Sequence, residues 1–150
     1  NGDFAVSWDS GSSKIIARIF HPDGTAVTPE IIIENIVEEK RIQVNIAALE
    51  DGSFVVSWSE FFPDTNDWNI GAAVFDENGV KSVDDFIVNA ETTSVQQNSY
   101  FTSLPGGGFV ATWTSLDGAD PSNSGIKARI FDATGAVVVD EFLVNETTYD

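Results

Sequence analysis

The chain has no cysteine and no methionine among its 150 residues. Without cysteine it can form neither a disulfide framework nor a thiolate metal site, and it has no cysteine nucleophile. Long apolar runs are absent too, and no stretch of about 18 apolar residues is available to cross a bilayer as a helix. A cross-linked fold, a cysteine-dependent enzyme and a chain inserted in the membrane by a helix are therefore not expected.

Basic residues are scarce. The sequence has 7 lysines and arginines against 24 aspartates and glutamates, which gives a formal net charge of −17. This charge repels nucleic acids and anionic membrane surfaces, so neither is an expected partner. It suits cations, basic partners or solubility in a salty or extracellular medium.

One pattern occurs three times and accounts for most of the chain. Each copy has a Phe-x-x-x-Trp segment, an Ile-x-Ala-x-(Ile/Val)-Phe segment, a glycine, and an apolar closing segment at the same distance from the second Phe. The first segments are Phe4–Trp8, Phe54–Trp58 and Phe109–Trp113; the second are Ile15–Phe20, Ile70–Phe75 and Ile126–Phe131; the glycines are Gly24, Gly79 and Gly135; the closing segments begin at Ile31, Phe86 and Phe142. Equal spacing indicates one supersecondary unit used three times.

Each copy predicts four short antiparallel strands, A to D, joined as a meander. Strand B is the Phe-x-x-x-Trp segment, strand C the Ile-x-Ala-x-(Ile/Val)-Phe segment and strand D the apolar closing segment. The segments alternate large and small residues at the period of a strand, and Asp-Gly and Gly-Gly pairs between them suit tight hairpin turns. Strand A is predicted at Ile42–Leu49 and Gln97–Leu104, and the first copy lacks it. We expect a single all-β repeat domain with repeats at 1–35, 42–89 and 96–145, which forms a fragment of a longer array.

Two architectures fit these units. Four-stranded meanders of about 50 residues build the blades of β-propellers, and the tryptophans of the repeat would then lie in the core between blades. Three blades do not close a propeller, so other repeats of a parent chain or a homo-oligomer are the expected partners. The alternative is a β-trefoil, which is built from three four-stranded units, although the missing strand would leave its barrel open.

The repeat resembles tandem units of very large bacterial exoproteins of the RTX type, which are exported by type I secretion. Their pattern is L-x-D-G-G-F-V-V-x-W, G-I-x-A-x-x-F-D-x-x-G and E-F-x-V-N-x-x-T. The third copy matches best, with Leu104, Gly107–Val110, Trp113, Gly125–Asp132, Gly135, Glu141–Asn145 and Thr147–Thr148. The first copy departs most, since His21 replaces the Asp and Glu34 the Asn. The resemblance implies a secreted or surface-attached, often calcium-associated protein with adhesive or scaffold roles. The nonapeptide calcium repeat of that group is absent here.

The segment between strands B and C differs in length among the copies, and it holds the candidate binding residues. Oxygen-rich side chains there suit Ca²⁺, the one cofactor that we expect. The metal candidates are Asp64, Asn66, Asp67, Asp117 and Asp120. Alternatively, Trp68 could cover a sugar ring while Asp64, Asn66 and Asp67 hold its hydroxyls, which would make the chain a carbohydrate-binding module.

No catalytic residue is predicted. The single histidine, His21, lies in a turn, and no pair among the many carboxylates stands out. The sequence therefore predicts a non-catalytic structural or adhesive module of a secreted or surface-attached bacterial protein, with carbohydrate binding as the alternative.

Overall fold

The computed structural model describes residues 2–10, 14–35, 41–118 and 124–146, and in these it contains β-strands and no helix. The strands are β1 (Phe4–Asp9), β2 (Lys14–Phe20), β3 (Ile31–Asn35), β4 (Arg41–Ala48), β5 (Phe54–Phe62), β6 (Asp67–Phe75), β7 (Lys81–Ile87), β8 (Gln96–Ser103), β9 (Phe109–Ser115), β10 (Gly125–Phe131) and β11 (Val137–Leu143). The all-β prediction is confirmed. With no helix over these ranges, none of them supplies a helical membrane span.

The strands form three antiparallel sheets, each from strands that are consecutive in sequence. The first sheet has the order β1-β2-β3, the second β4-β5-β6-β7, and the third β11-β10-β9-β8. Every ladder between described strands joins two strands of the same sheet, and none joins strands of different sheets. In the first sheet β1 lies at an edge, because no described strand pairs with its outer side.

The last strand of the second and third sheets is longer than the sequence predicts. β7 begins at Lys81 and β11 at Val137, whereas the apolar pattern placed their starts at Phe86 and Phe142. Register shifts interrupt the ladders of both strands with their neighbours. Because a bulge breaks the period-two alternation of side chains, the pattern conceals the first half of each strand.

In the first sheet the last strand, β3, does not start early as β7 and β11 do, because Pro29 precedes it. A proline has no N–H for a ladder hydrogen bond, so it interrupts pairing between strands. Only an isolated bridge between Phe20 and Ala26 remains there, and β3 starts after the proline, at Ile31. The predicted start at Ile31 is therefore correct for this sheet.

Each sheet has two different faces. We call front the face that carries a stacked phenylalanine pair, and back the opposite face. The pairs are Phe4–Phe20, Phe54–Phe75 and Phe109–Phe131, with ring centroids 5.6, 5.4 and 5.2 Å apart. The back faces carry the alternate residues of the middle strand, Ile15, Ala17 and Ile19 in the first sheet and their equivalents in the others.

The sheets pack front to back through two apolar cores. Between the first and second sheets lie Ile15, Ala17, Ile19, Ile33, Phe54, Val56, Trp58, Ala73 and Phe75. Between the second and third lie Leu49, Val55, Ile70, Ala72, Val74, Val88, Phe109, Ala111, Trp113 and Phe131. Full burial of one such large side chain contributes about 1.5–3 kcal/mol, so these two cores dominate the stability of the fold.

The repeated tryptophans are core residues in two of the three sheets. Trp58 and Trp113 are fully buried, as predicted, whereas Trp8 is only half-buried. The indole N–H of each buried tryptophan has a partner: Trp58 Nε1 donates to Glu60 Oε2 at 3.2 Å and Trp113 Nε1 to Gln96 Oε1 at 2.9 Å.

The repeated asparagines at the ends of strand D also have structural roles. The Asn89 side-chain oxygen accepts a hydrogen bond from the Ile70 N–H at 2.8 Å, and the Asn145 oxygen accepts one from the Ile126 N–H at 2.6 Å. Each side-chain amide thus continues the hydrogen bonding of β6 or β10 beyond the end of the neighbouring strand, β7 or β11. This role explains why the residue recurs in register.

Gly71 lies at a tightly packed position of the core between the first and second sheets. A Cβ atom added there would lie 2.3 Å from Trp58 Nε1 and 2.6 Å from its Cε2. Because Trp58 is fully buried, its indole has no space into which it could withdraw.

We therefore expect Gly71→Ala to destabilise the fold by about 1–3 kcal/mol, the usual cost of overpacking a core. Urea unfolding measures the loss. In the double variant Gly71→Ala/Trp58→Leu the clash is gone, so its total loss should be smaller than the sum of the two single losses. Additive losses would contradict the clash as the cause.

Candidate functional site

The candidate loop of the second repeat is a long hairpin. β5 and β6 continue past the repeat pattern and pair through to Phe62 and Asp67, which leaves only 63–66 as the turn. Five residues of the segment that the sequence predicts as a loop between strands B and C thus lie in strands: Glu60, Phe61, Phe62, Asp67 and Trp68. The prediction of a loop was wrong there because alternation of apolar residues stops at Glu60, which is buried against Trp58.

Trp68 stands opposite Phe61 at the end of this hairpin. The two residues are partners in the ladder, and their rings are 5.3 Å apart at a tilt of 51°. Such cross-strand aromatic pairs stabilise a hairpin by about 0.2–1 kcal/mol. Trp68 is half-buried, so one part of the indole packs within the hairpin and another part remains at the surface.

The three polar candidates of the hairpin lie at or beside its turn. Asp64 and Asn66 are exposed, and Asn66 adopts a positive φ of 60°, which asparagine tolerates better than most residues. Asp67 is half-buried, and its carboxylate accepts a hydrogen bond from the Ser94 N–H at 3.0 Å. The structure thus brings Trp68, Asp64, Asn66 and Asp67 to one end of the second sheet.

The remaining metal candidates are elsewhere. Asp117 follows β9 in the third sheet, and its carboxylate pairs with the Lys127 ammonium. Asp120 lies outside the described residues. Over the ranges given above, no three or more His, Cys, Asp or Glu side chains gather closely enough to hold a metal ion. Among the described candidates, the hairpin residues and Asp117 therefore do not form a cluster of this kind.

The sequence did not indicate the ionic cluster around Lys127. This lysine pairs with Asp117 and, at 2.6 Å, with Glu141, and all three side chains are about nine-tenths buried. The second Glu141 oxygen accepts a hydrogen bond from the Ala90 N–H at 2.7 Å, so the cluster ties the third sheet to the end of the second. The residues come from three separate segments, which is why no local motif marked them.

The pKa of Lys127 reflects two opposing effects. Burial of the ammonium lowers it, but the hydrogen bonds to Asp117 and Glu141 and the charges of both carboxylates outweigh burial, so the pKa lies above the ordinary value of a lysine. A raised folded-state pKa means that the charged lysine stabilises the fold at all pH values below the unfolded pKa. That contribution disappears only as the pH rises through the folded pKa, in the alkaline range.

A second polar feature that the sequence did not indicate is a pair of bulges in the first strands of the second and third sheets. Gln43 and Asn98 have positive φ angles of 58° and 57°, next to equivalent register shifts in β4 and β8. The Gln43 amide nitrogen donates to the Asn98 side-chain oxygen at 2.7 Å. Bulges re-aim side chains, and here they direct two amides towards each other across neighbouring sheets.

A cleft of about 480 Å³ opens between the first and second sheets. Apolar side chains such as Leu49 and Phe54 line it, together with the acidic Asp3, Glu50 and Glu77. Asp3 also contacts the single histidine, His21, at 2.9 Å on the surface. These groups could accept hydrogen bonds from a ligand, but they do not include a cation to hold an anionic one.

No protein-family model matches the chain, and no curated protein matches it. Among solved structures, the chain is similar to an endo-arabinase from Bacteroides thetaiotaomicron VPI-5482, with a TM-score of 0.46 and 13% identity over 98% of this chain. The chain spans 52% of the length of that enzyme.

The ionic cluster generates a prediction about stability. Lys127→Met leaves two buried carboxylates side by side without a cation, and we expect it to cost about 3–5 kcal/mol. The matched control is Lys81→Met, because Lys81 pairs with Asp85 at 2.7 Å in a site that is about 30% exposed. Such a pair contributes at most about 1 kcal/mol. Urea unfolding at neutral pH compares the two variants, and equal losses would contradict a structural role of the Lys127 cluster.

Proposed function

We propose that the chain is a non-catalytic structural or adhesive repeat module of a protein that is secreted or attached to a cell surface. The observation that carries the proposal is what the repeated residues do. Two of the three phenylalanine pairs, two of the tryptophans and apolar residues of the strands that follow them are in the cores, and two repeated asparagines complete ladders. The repeat thus specifies packing, and the resemblance to repeats of RTX-type exoproteins supports the location.

In this proposal the three sheets are blades of a β-propeller-like array. Two observations support it over a trefoil. Each sheet consists of consecutive strands, whereas a trefoil barrel requires ladders between strands of different repeats. The first strands of the second and third sheets, β4 and β8, lie next to each other, and β4 also lies next to β1. Adjacent inner strands are expected where blades surround a common axis.

A carbohydrate-binding module is the second candidate, and the observation in its favour is the end of the β5–β6 hairpin. A half-buried indole there lies near an exposed carboxylate and an exposed amide, Asp64 and Asn66. An aromatic face with a few polar groups is the usual composition of a sugar site.

One pair of assays separates these functions. A structural module should give no selective signal on a glycan array and no release of reducing sugar from a panel of polysaccharides. A selective signal lost in Trp68→Ala and in Asp64→Ala, but kept in Tyr100→Ala, would favour the carbohydrate-binding module. Tyr100 is the matched control because it is an exposed aromatic residue on another sheet. Sugar release by the wild-type chain would contradict the non-catalytic proposal.

We propose calcium binding at the hairpin turn only, through Asp64, Asn66 and Asp67, because Asp117 is already paired with Lys127. A ligand that binds the native state stabilises it by RT ln(1+[L]/Kd), about 2.7 kcal/mol at a hundredfold excess over Kd. The melting temperature should therefore rise from chelator to millimolar Ca²⁺ at fixed ionic strength. Ionic strength must be constant because any salt screens the net charge of −17.

The control for calcium is the variant Asp64→Asn/Asp67→Asn, in which the rise should disappear. An equal rise in wild type and variant would place the calcium effect elsewhere in the chain. No rise in the wild type would remove calcium from the proposal.

A further inference from the structure

The two interfaces within the chain have the same construction. In each, the front face of one sheet covers the back face of the sheet that precedes it in sequence. The turn glycine of the covering sheet also touches the covered one: a Cβ at Gly79 would lie 2.2 Å from Ile31 Cδ1, and a Cβ at Gly135 would lie 3.2 Å from Val83 Cγ1. The sheets are therefore joined by one repeated mode of docking.

The front face of the first sheet has the residues of a covering face but covers nothing among the described residues. Phe4 is 47% exposed, whereas its equivalent Phe54 is 3% exposed. Val6 is also exposed, although the equivalent Val56 is fully buried. A Cβ at Gly24, the equivalent of Gly79 and Gly135, would meet nothing within 4 Å.

The back face of the third sheet has the residues of a covered face, but no sheet among the described residues covers it. Val144 is 49% exposed and Ile126 40%, whereas their equivalents in the second sheet, Val88 and Ile70, are fully buried. Phe142 and Val139 are exposed beside them. Contiguous exposed apolar residues of this kind mark a surface of interaction.

We propose that these two faces bind each other between two copies of the chain. The front face of the first sheet of one copy covers the back face of the third sheet of the other. The contact repeats the docking already present twice within each chain, and it rests on the proposed arrangement of the sheets as blades. Front and back are different surfaces, so the contact is heterologous and must close into a ring or continue as a filament.

In a ring made only of copies of this 150-residue chain, the number of sheets selects two copies. Two copies supply six sheets, within the range of about four to eight blades that close around an axis, whereas three copies would exceed it. Both copies contribute both faces, so no apolar face of either kind remains open.

A basic residue at the edge of the front face fits this contact. The Arg129 guanidinium crosses from the third sheet to the backbone oxygen of Val88 at the back of the second, at 3.0 Å. Arg18 has the same position on the first sheet, where its Nε donates to the Thr28 oxygen at 2.9 Å. In the dimer we expect the Arg18 guanidinium to face the backbone oxygen of Val144 in the other copy.

Sedimentation equilibrium and light scattering of the wild-type chain test the proposal. The expected mass is twice the 16.2 kDa of one chain. Salt should favour the dimer, because the contact is apolar and each copy has a net charge of −17. A monomer across the concentration range would overturn the proposal, and mass that grows without limit would overturn the closed ring.

Two variants test the surfaces. Phe4→Asp and Phe142→Asp should each be monomeric, since each buries a charge in both contacts of the ring. Mixed in equal amounts they should form a heterodimer, because one variant keeps an intact back face and the other an intact front face. A dimer that persists in either variant, or a mixture that stays monomeric, would overturn the head-to-tail contact. If Phe142→Asp does not fold, Val144→Asp replaces it.

Phe86→Asp distinguishes failure of this contact from failure of the blade arrangement. Phe86 is the equivalent of Phe142 at the interface within the chain, where its ring is 5.6 Å from that of Phe131. The Phe86→Asp variant should therefore have a less stable monomer than the wild type, whereas Phe142→Asp should leave the stability of the monomer unchanged. A monomeric wild type with a destabilised Phe86→Asp variant overturns the dimer alone. A Phe86→Asp variant as stable as the wild type overturns the stacking from which the dimer is inferred.

Discussion

Apolar contact between the front of one sheet and the back of the next is the interaction on which the rest of this structure depends. A meander of three or four strands has few means of burying apolar surface by itself, and small isolated sheets are marginal in water. Here the stacked phenylalanine pair of each front face supplies a broad apolar surface, and the alternate isoleucine, alanine and valine residues of the back face receive it.

Polar groups inside the stack are nearly all paired, and this restricts how the sheets can meet. The Lys127 cluster links the third sheet to the backbone at Ala90, and the Gln43–Asn98 pair links the bulges of β4 and β8. An offset of one sheet against the other would break both links, namely the hydrogen bond from the Ala90 N–H to Glu141 and the one between Gln43 and Asn98. The apolar cores supply the attraction, and these links determine the position.

Much of the fold could be predicted from the sequence because the repeat places the same residue at the same structural position. Strands B and C, the turn glycines and the burial of Trp58 and Trp113 follow from that periodicity. Strand D was predicted too short, because bulges in β7 and β11 disturb the alternation that marks a strand. The error has the same physical origin in both copies: a bulge changes the face of the sheet on which the following side chains lie, while the two strands remain paired.

The polar sites were harder to predict. The β5–β6 hairpin extends beyond the repeat, so no second copy exists against which its residues could be compared. Lys127 lies at the position that Gly71 has in the second sheet, where the indole of Trp58 fills the space. One position of the repeat thus serves two different purposes. Whether a lysine there is a surface charge or the centre of a buried cluster depends on Asp117 and Glu141, which are distant in sequence.

The position of the second sheet between two others has a consequence for local opening. It has a described neighbour on each face, whereas the first and third sheets have one each. In stacked units of this kind, local stability is the sum of a unit's own terms and those of its interfaces. In a single copy of the chain, amide hydrogens of β5 and β6, whose residues are almost continuously buried, should therefore exchange most slowly with solvent, and those of β1 and β11 fastest. Opening would begin at the outer sheets and move inwards, so the region that resists it longest is the hairpin that carries Trp68.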